Sequence, residues 1–198
     1  KPDNKAYREY VDGILKERID AKTSKTAIFN NALATYARYG AVSPVTDILS
    51  EKDLNNTLPT TLTDKIKSLT TYQHRIFYYG QRTQDEVKTI LEKHHKTNPV
   101  LMDYPAARTY TEQETKSNKV LFVNYNMVQA QVMMMSKDKN FDKTLLPQAR
   151  VFNEYFGSGL SSIVFQEIRE TKALAYSAYV NFSTPTNKEE AHYVRAFV

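Results

Sequence analysis

The sequence FNEYFGSGLSSIVFQEIRETKALAYSAY (residues 152–179) decides the fold of this chain. A helix predicted from about Leu145 to Phe156 ends at Gly157 and Gly159, which permit a sharp reversal of the backbone. A second helix is predicted over residues 162–170. The period then changes to two, which indicates a strand with one face formed by Tyr176, Ala178, Val180 and Phe182.

Upstream of this stretch the chain is mainly helical. Apolar residues recur at helical spacing over 7–19 and again over 28–37, where Gly40 supplies a left-handed stop. Ser50 to Asp53 and Thr83 to Glu86 have the pattern of capping boxes that open helices. A further helix is predicted after Pro59. These signals are local, so they predict where helices begin and end.

Strand signals begin at residue 75. Residues 75–79 (RIFYY) are β-branched and aromatic and end at Gly80, as a buried strand would. Two more strands are predicted over 120–123 and 128–135, after a long surface connection over 98–117. A last strand over 191–198 follows the turn at Pro185. The pattern predicts an α+β fold.

Composition excludes several classes of site. The chain has 198 residues, no cysteine and a formal net charge of +5, with 27 basic and 22 acidic residues interspersed. Without cysteine there is no disulfide, thiolate metal site or cysteine nucleophile. Scattered basic residues argue against a nucleic-acid groove, and no apolar run approaches the roughly 20 residues needed to span a bilayer.

The two ends of the chain suggest a piece of a longer protein. The chain begins at Lys1 without methionine, and it stops at Val198 inside a strand-like run. A sheet cut at that point would leave an unpaired edge and uncovered apolar residues. We therefore expect the isolated chain to self-associate.

Histidine and serine patterns point to ordinary structural roles. His94 and His95 are adjacent, so a helix would turn them in different directions, and His74 and His192 are isolated in the sequence. We therefore predict no metal site in this chain. Ser158 lies between two glycines after a helix, whereas a nucleophile elbow follows a strand, which favours a plain turn.

Arg169 and Tyr176 are the candidate site residues. They are seven positions apart across a helix-to-strand change, so helical spacing alone does not bring them together. An arginine near a helix C-terminus is also a favourable partner of the helix dipole, and that reading stays open beside a functional one.

The stretch 152–179 resembles the C-terminal domain signature of the M16 (insulinase or pitrilysin) metallopeptidase family. The matching elements are the glycines at 157 and 159, the serines at 161 and 162, FQEIRE over 165–170 and ALAYS over 173–177. Ala173 departs from the family pattern, where glycine is frequent. The resemblance spans about 60–198, and 1–59 looks like the helical tail of a preceding domain.

That resemblance implies an α+β domain with a largely antiparallel sheet covered by helices on one face, the LuxS/MPP-like metallohydrolase fold. It implies a parent zinc endopeptidase whose Zn²⁺ is held by a His-x-x-Glu-His motif in an N-terminal domain, a motif that is absent here. Arg169 and Tyr176 would reach across a chamber to the peptide substrate, and this chain would pair with the N-terminal half. Resemblance to long bacterial relatives implies a periplasmic or other extracytoplasmic location.

Two other functions stay open. One is a non-catalytic M16-like partner subunit or peptide-binding module, which would lack the His-x-x-Glu-His motif in its full sequence. The other is an unrelated scaffolding or nucleic-acid-binding domain that uses the net charge of +5, for which salt-sensitive DNA retention would be the sign.

Overall fold

The computed structural model of the protein describes residues 2–198. These residues form two compact units that alternate along the chain. The first unit contains the residues up to Ala21 together with Ile48–Thr109, and the second contains Lys22–Asp47 together with Tyr110–Val198. The domain boundary predicted between residues 59 and 60 stays a prediction.

The first unit is helical. It contains α1 (Asn4–Ala21), α3 (Glu51–Asn56), α4 (Pro59–Ser68) with a 3₁₀ turn at Leu69–Thr71, and α5 (Gln84–His94). Both predicted capping boxes form, at Ser50 with Asp53 and at Thr83 with Glu86. The Tyr7 hydroxyl on α1 donates a hydrogen bond to the Leu54 carbonyl at 2.7 Å, which joins α1 to α3.

The second unit combines helices with the sheet. A π-helix (Ala27–Leu33) continues into α2 (Ala34–Tyr39), which ends at Gly40 with φ +77°. The sheet has strands β1 (Met133–Asn140), β2 (Tyr179–Ser183) and β3 (Ala191–Phe197). A 3₁₀ turn at Lys143–Leu145 leads into α6 (Leu146–Phe152) and a π-helical turn at Asn153–Gly157, and a separate π-helix spans Phe165–Thr171.

The sheet is antiparallel with the order β1-β3-β2. The strand nearest the chain end, β3, is therefore central and paired on both sides, and the edges are β1 and β2. The expectation that the last strand would be the unpaired edge is wrong, because β3 lies between β1 and β2. The self-association expected of the isolated chain stays a prediction. Val132 and Val198 extend that pairing through two backbone hydrogen bonds of 2.9 and 3.0 Å.

Three of the predicted strands do not form as expected. Residues 75–79 and 120–123 have no strand pairing, and β1 covers 133–140 where 128–135 was predicted. Phe77, Tyr79, Val120 and Val128 are each at least 88% exposed. A composition rich in β-branched and aromatic residues indicates only that a segment suits a half-buried pleated surface. A strand also needs a partner ladder, which the described residues do not supply to these segments.

Helix α6 and its π-helical turn pack against β2. The Asn153 side chain pairs with the backbone of Phe182, donating from Nδ2 to the carbonyl at 3.1 Å and accepting from the amide at 2.7 Å. Gly157 is buried, and a Cβ added to it would overlap the carbonyl group of Val180. The close approach requires glycine at this position.

His192 forms part of the core of the second unit. It is fully buried and stacks against Phe141 and Phe182, with ring centroids 5.9 and 5.0 Å away. Its Nε2 accepts from the Asp142 amide at 3.1 Å, and its Nδ1 lies 3.2 Å from the Ser183 carbonyl, which can only accept. These partners select the neutral ring protonated at Nδ1. Of the packing and surface roles expected of an isolated histidine, His192 has the packing role.

An ion-pair network joins α2 to the loop before β1 and to the sheet. Arg38 contacts Glu112 at 2.6 Å and Glu190 at 3.2 Å, and Lys137 on β1 lies 4.0 Å from Glu112. Glu112 also accepts from the Ala191 amide at 2.9 Å. The Glu112 side chain is only 7% exposed, so these partners compensate for the removal of its carboxylate from water. No helix within residues 2–198 is long and apolar enough to cross a membrane.

Candidate functional site

The π-helix Phe165–Thr171 positions Arg169. Buried Ser162 starts this helical segment, because its hydroxyl accepts from the Phe165 amide at 3.3 Å and its carbonyl accepts from the Gln166 amide at 3.0 Å. Phe165 and Arg169 are four residues apart, a spacing that places two side chains on one helix face. The guanidinium carbon of Arg169 lies 4.8 Å from the centre of the Phe165 ring.

The helix ends in a tight reversal at Ala173. The Lys172 amide donates to the Glu167 carbonyl at 3.1 Å, and the Leu174 amide donates to the Ile168 carbonyl at 2.9 Å. This resembles a Schellman ending widened by the π-helical turn. Ala173 has φ +47°, in the left-handed region that favours glycine, and within 2–198 it is the one non-glycine residue with positive φ. The backbone therefore adopts a glycine-type conformation despite the alanine.

The reversal brings Tyr176 back onto Arg169. The guanidinium carbon lies 4.3 Å from the centre of the Tyr176 ring, which is within the range of a cation–π interaction. Arg169 is thus in contact with two aromatic rings, and its Nε lies 3.3 Å from Glu170 Oε1. The strand predicted to include Tyr176 begins only at Tyr179, so Tyr176 lies before β2, where it is 80% exposed.

The pair has the chemistry of a binding site. The Arg169 side chain is 33% exposed, and its planar guanidinium keeps a permanent positive charge and several N–H donors. The exposed hydroxyl of Tyr176 can donate or accept. Together the two groups can bind a carbonyl or carboxylate oxygen.

Ser158 occupies the turn that its glycine neighbours predicted. Its hydroxyl donates to the Asn153 carbonyl at 3.1 Å, and its amide donates to the same carbonyl at 2.8 Å. Both groups complete the end of the π-helical turn at Asn153–Gly157. The hydroxyl therefore has a structural partner, in agreement with a plain turn.

Two histidines that looked unrelated in the sequence are neighbours. His74 and His95 lie 21 residues apart, and their Nε2 atoms are separated by 2.7 Å. Sequence spacing could not reveal this, because a loop and a helix end supply one residue each. Within the described part of the chain, no group of three or more histidine, aspartate or glutamate side chains is arranged to hold a metal ion.

Comparison with known proteins establishes the family. The family model described as the peptidase M16 inactive domain matches residues 74–198, more than half of the chain. The chain therefore belongs to the peptidase M16 family, and its matched part is a non-catalytic portion of that family.

Among solved structures, the crystal structure of a protease from Helicobacter pylori has a similar fold. The TM-score is 0.65 at 18% sequence identity, and the match covers 100% of this chain and 48% of that protein's chain. The present chain thus spans about half the length of that protein. No curated protein matches the sequence.

Proposed function

We propose that this chain is the C-terminal portion, without the catalytic zinc motif, of an insulinase- or pitrilysin-like M16 zinc metalloendopeptidase, and that it helps to enclose and hold the peptide substrate. The observation that carries the proposal is the contact between Arg169 and Tyr176. Seven residues separate them in the chain, yet the reversal at Ala173 places the guanidinium 4.3 Å from the ring. The positive charge of Arg169 and the exposed hydroxyl of Tyr176 are therefore presented close together.

The chemistry of the pair suits a peptide. A backbone carbonyl, or the oxyanion that forms on it during hydrolysis, accepts hydrogen bonds from a guanidinium and a phenol. Stacking on Phe165 and Tyr176 limits the movement of the guanidinium, so less side-chain entropy is lost when substrate binds. In this proposal the metal-activated water and its general base belong to another part of the parent enzyme.

The proposal includes pairing with the N-terminal half of the same enzyme. Residues 76–79 and 120–123 are apolar and aromatic, and several of them are highly exposed in this chain. Exposed apolar surface of this kind is typical of protein contact sites. The chain also accounts for 48% of the length of the similar protease, which leaves room for a further half in that protein.

The test is a substitution series in the full-length enzyme. Arg169→Ala removes the charge, Tyr176→Phe removes only the hydroxyl, and Arg150→Ala is the matched control on the exposed surface of α6. A hydrogen bond to a charged group contributes about 1.5–3 kcal/mol, which corresponds to a fall in kcat/KM of about 10- to 150-fold for Arg169→Ala. Zinc content should stay that of the parent.

Equal peptide turnover by Arg169→Ala and the parent enzyme would overturn the role of the pair. A second candidate function is a non-catalytic partner subunit, which the match to a domain described as inactive supports equally well. The full-length sequence separates the two: the endopeptidase requires a His-x-x-Glu-His motif upstream of this chain, and the partner subunit lacks it.

A further inference from the structure

The imidazole rings of His74 and His95 in the first unit converge. Their ring centroids are 4.9 Å apart, the planes are nearly perpendicular at 86°, and the two Nε2 atoms face each other at 2.7 Å. Two Nε2–H groups would repel each other at this distance, so one of the two nitrogens carries a proton and donates it to the other. At least one of the two nitrogens therefore presents a lone pair to the other.

The hydrogen bond on the far side of His74 identifies that lone pair. Nδ1 of His74 lies 2.7 Å from the Tyr72 carbonyl, which can only accept, so Nδ1 carries a proton. In the neutral ring the lone pair is then on Nε2, directed at His95. Histidines that bind metal ions usually have this arrangement, with the other ring N–H donated to a backbone carbonyl or carboxylate.

Both histidines are attached to well-held backbone. The segment before His74 forms two backbone hydrogen bonds with Met102. The Gln73 amide donates to the Met102 carbonyl at 2.8 Å, and the Met102 amide donates to the Thr71 carbonyl at 2.9 Å. His95 is the C-cap of α5, and its amide donates to the Leu91 carbonyl at 2.7 Å. A cation beside His95 would also lie at the negative end of the α5 dipole.

We propose that His74 and His95 form a two-histidine site for a divalent transition-metal ion such as Zn²⁺, Ni²⁺ or Cu²⁺. Imidazole nitrogen is a preferred ligand of these ions, and water would complete the coordination because His74 is exposed. The proton between the two rings is the one on His95 Nε2, since His74 carries its proton on Nδ1. On binding, that proton passes through solvent to His95 Nδ1, and the ion takes its place between two Nε2 lone pairs.

Coordination requires only a small opening of the pair. Zinc–nitrogen bonds of about 2.0–2.1 Å at a tetrahedral angle place two ligand nitrogens about 3.3 Å apart. The present separation of 2.7 Å would thus widen by about 0.6 Å, which side-chain rotation of exposed His74 can supply. The site is independent of the proposed peptide-binding pair and is tested without any peptide.

The test is isothermal titration of the 198-residue chain with Zn²⁺ and Ni²⁺, with Mg²⁺ as the ion that prefers oxygen ligands. His74→Ala and His95→Gln each remove one ligand. His94→Ala is the matched control, because His94 is the exposed neighbour of His95 on the same helix end and has the same chemistry. Circular dichroism of each variant checks that the fold is retained.

We expect the unsubstituted chain and His94→Ala to bind one Zn²⁺ or Ni²⁺ ion with the same affinity and not to bind Mg²⁺. Loss of an outer-shell partner alone weakens metal binding 10- to 100-fold, so loss of a ligand should weaken it by at least about tenfold. Absence of Zn²⁺ and Ni²⁺ binding by the unsubstituted chain overturns the proposal. Unchanged affinity in folded His74→Ala or His95→Gln, or equal loss in His94→Ala, also overturns it.

Discussion

Gly157→Ala tests the contact between the end of the α6 segment and β2. A Cβ at residue 157 would overlap the Val180 carbonyl group, with the carbonyl carbon only 2.8 Å away. Optimal carbon–carbon separations are about 3.5–4.0 Å, so helix and strand must move apart by roughly 1 Å. Overpacking of this kind typically costs about 1–3 kcal/mol.

The separation also affects Asn153, one helical turn away. Its two hydrogen bonds to the Phe182 backbone, at 3.1 and 2.7 Å, depend on the same approach and contribute about 1 kcal/mol each. The gain from replacing a helical glycine with alanine is at most about 1 kcal/mol. We therefore expect Gly157→Ala to lower the free energy of unfolding by about 2–4 kcal/mol.

The assay is urea denaturation followed by circular dichroism, with two matched glycines as controls. Gly13 lies inside α1 with nothing within 4 Å of an added Cβ, so Gly13→Ala should be neutral or stabilising. Gly159 has open space but φ +92°, so Gly159→Ala should cost about 1–3 kcal/mol through backbone strain alone. Stability of Gly157→Ala equal to that of the parent would refute the reasoning.

Two further predictions concern the second unit. The left-handed conformation of Ala173 costs about 1–2 kcal/mol of stability, whereas the extra chain entropy of glycine costs about 0.5–1 kcal/mol. Ala173→Gly should therefore raise the urea midpoint slightly, and a fall would contradict the strain at φ +47°. Burial, reinforced by the negative charge of Glu112, raises the pKa of Tyr193 to about 12. The neutral phenol's contribution is present below the unfolded pKa of about 10 and is lost as pH rises towards 12. The free energy of unfolding should therefore fall over that range in the parent and fall less in Tyr193→Phe, and parallel pH curves would refute the assignment.

The helices and their ends were predicted well because their signals are local. The capping boxes at Ser50 and Thr83, the stop at Gly40 and the helix that begins at Pro59 all depend on residues within one or two turns of each other. The turn at Ser158 is local in the same sense. A helix closes its hydrogen bonds within its own segment, so the sequence of that segment is sufficient.

The strands were predicted less well because a strand needs a distant partner. Residues 75–79 have the composition of a strand but no ladder, whereas β3 gained two neighbours, one of which begins 58 positions earlier at Met133. Hydrophobic period and β propensity do not specify which segments pair. The central position of β3 was therefore invisible in the sequence.

The sequence by itself determined the helical segments, the glycine turn, the tyrosine and arginine candidates and the M16 resemblance, all of which rest on residues close together in the chain. Only the tertiary structure decided that Tyr176 stacks on Arg169, that Asn153 and Gly157 hold β2, and that His74 meets His95. The physical reason is common to all three. Each contact joins segments of different conformation, and the direction of the chain after a turn follows from backbone dihedral angles that residue spacing does not encode.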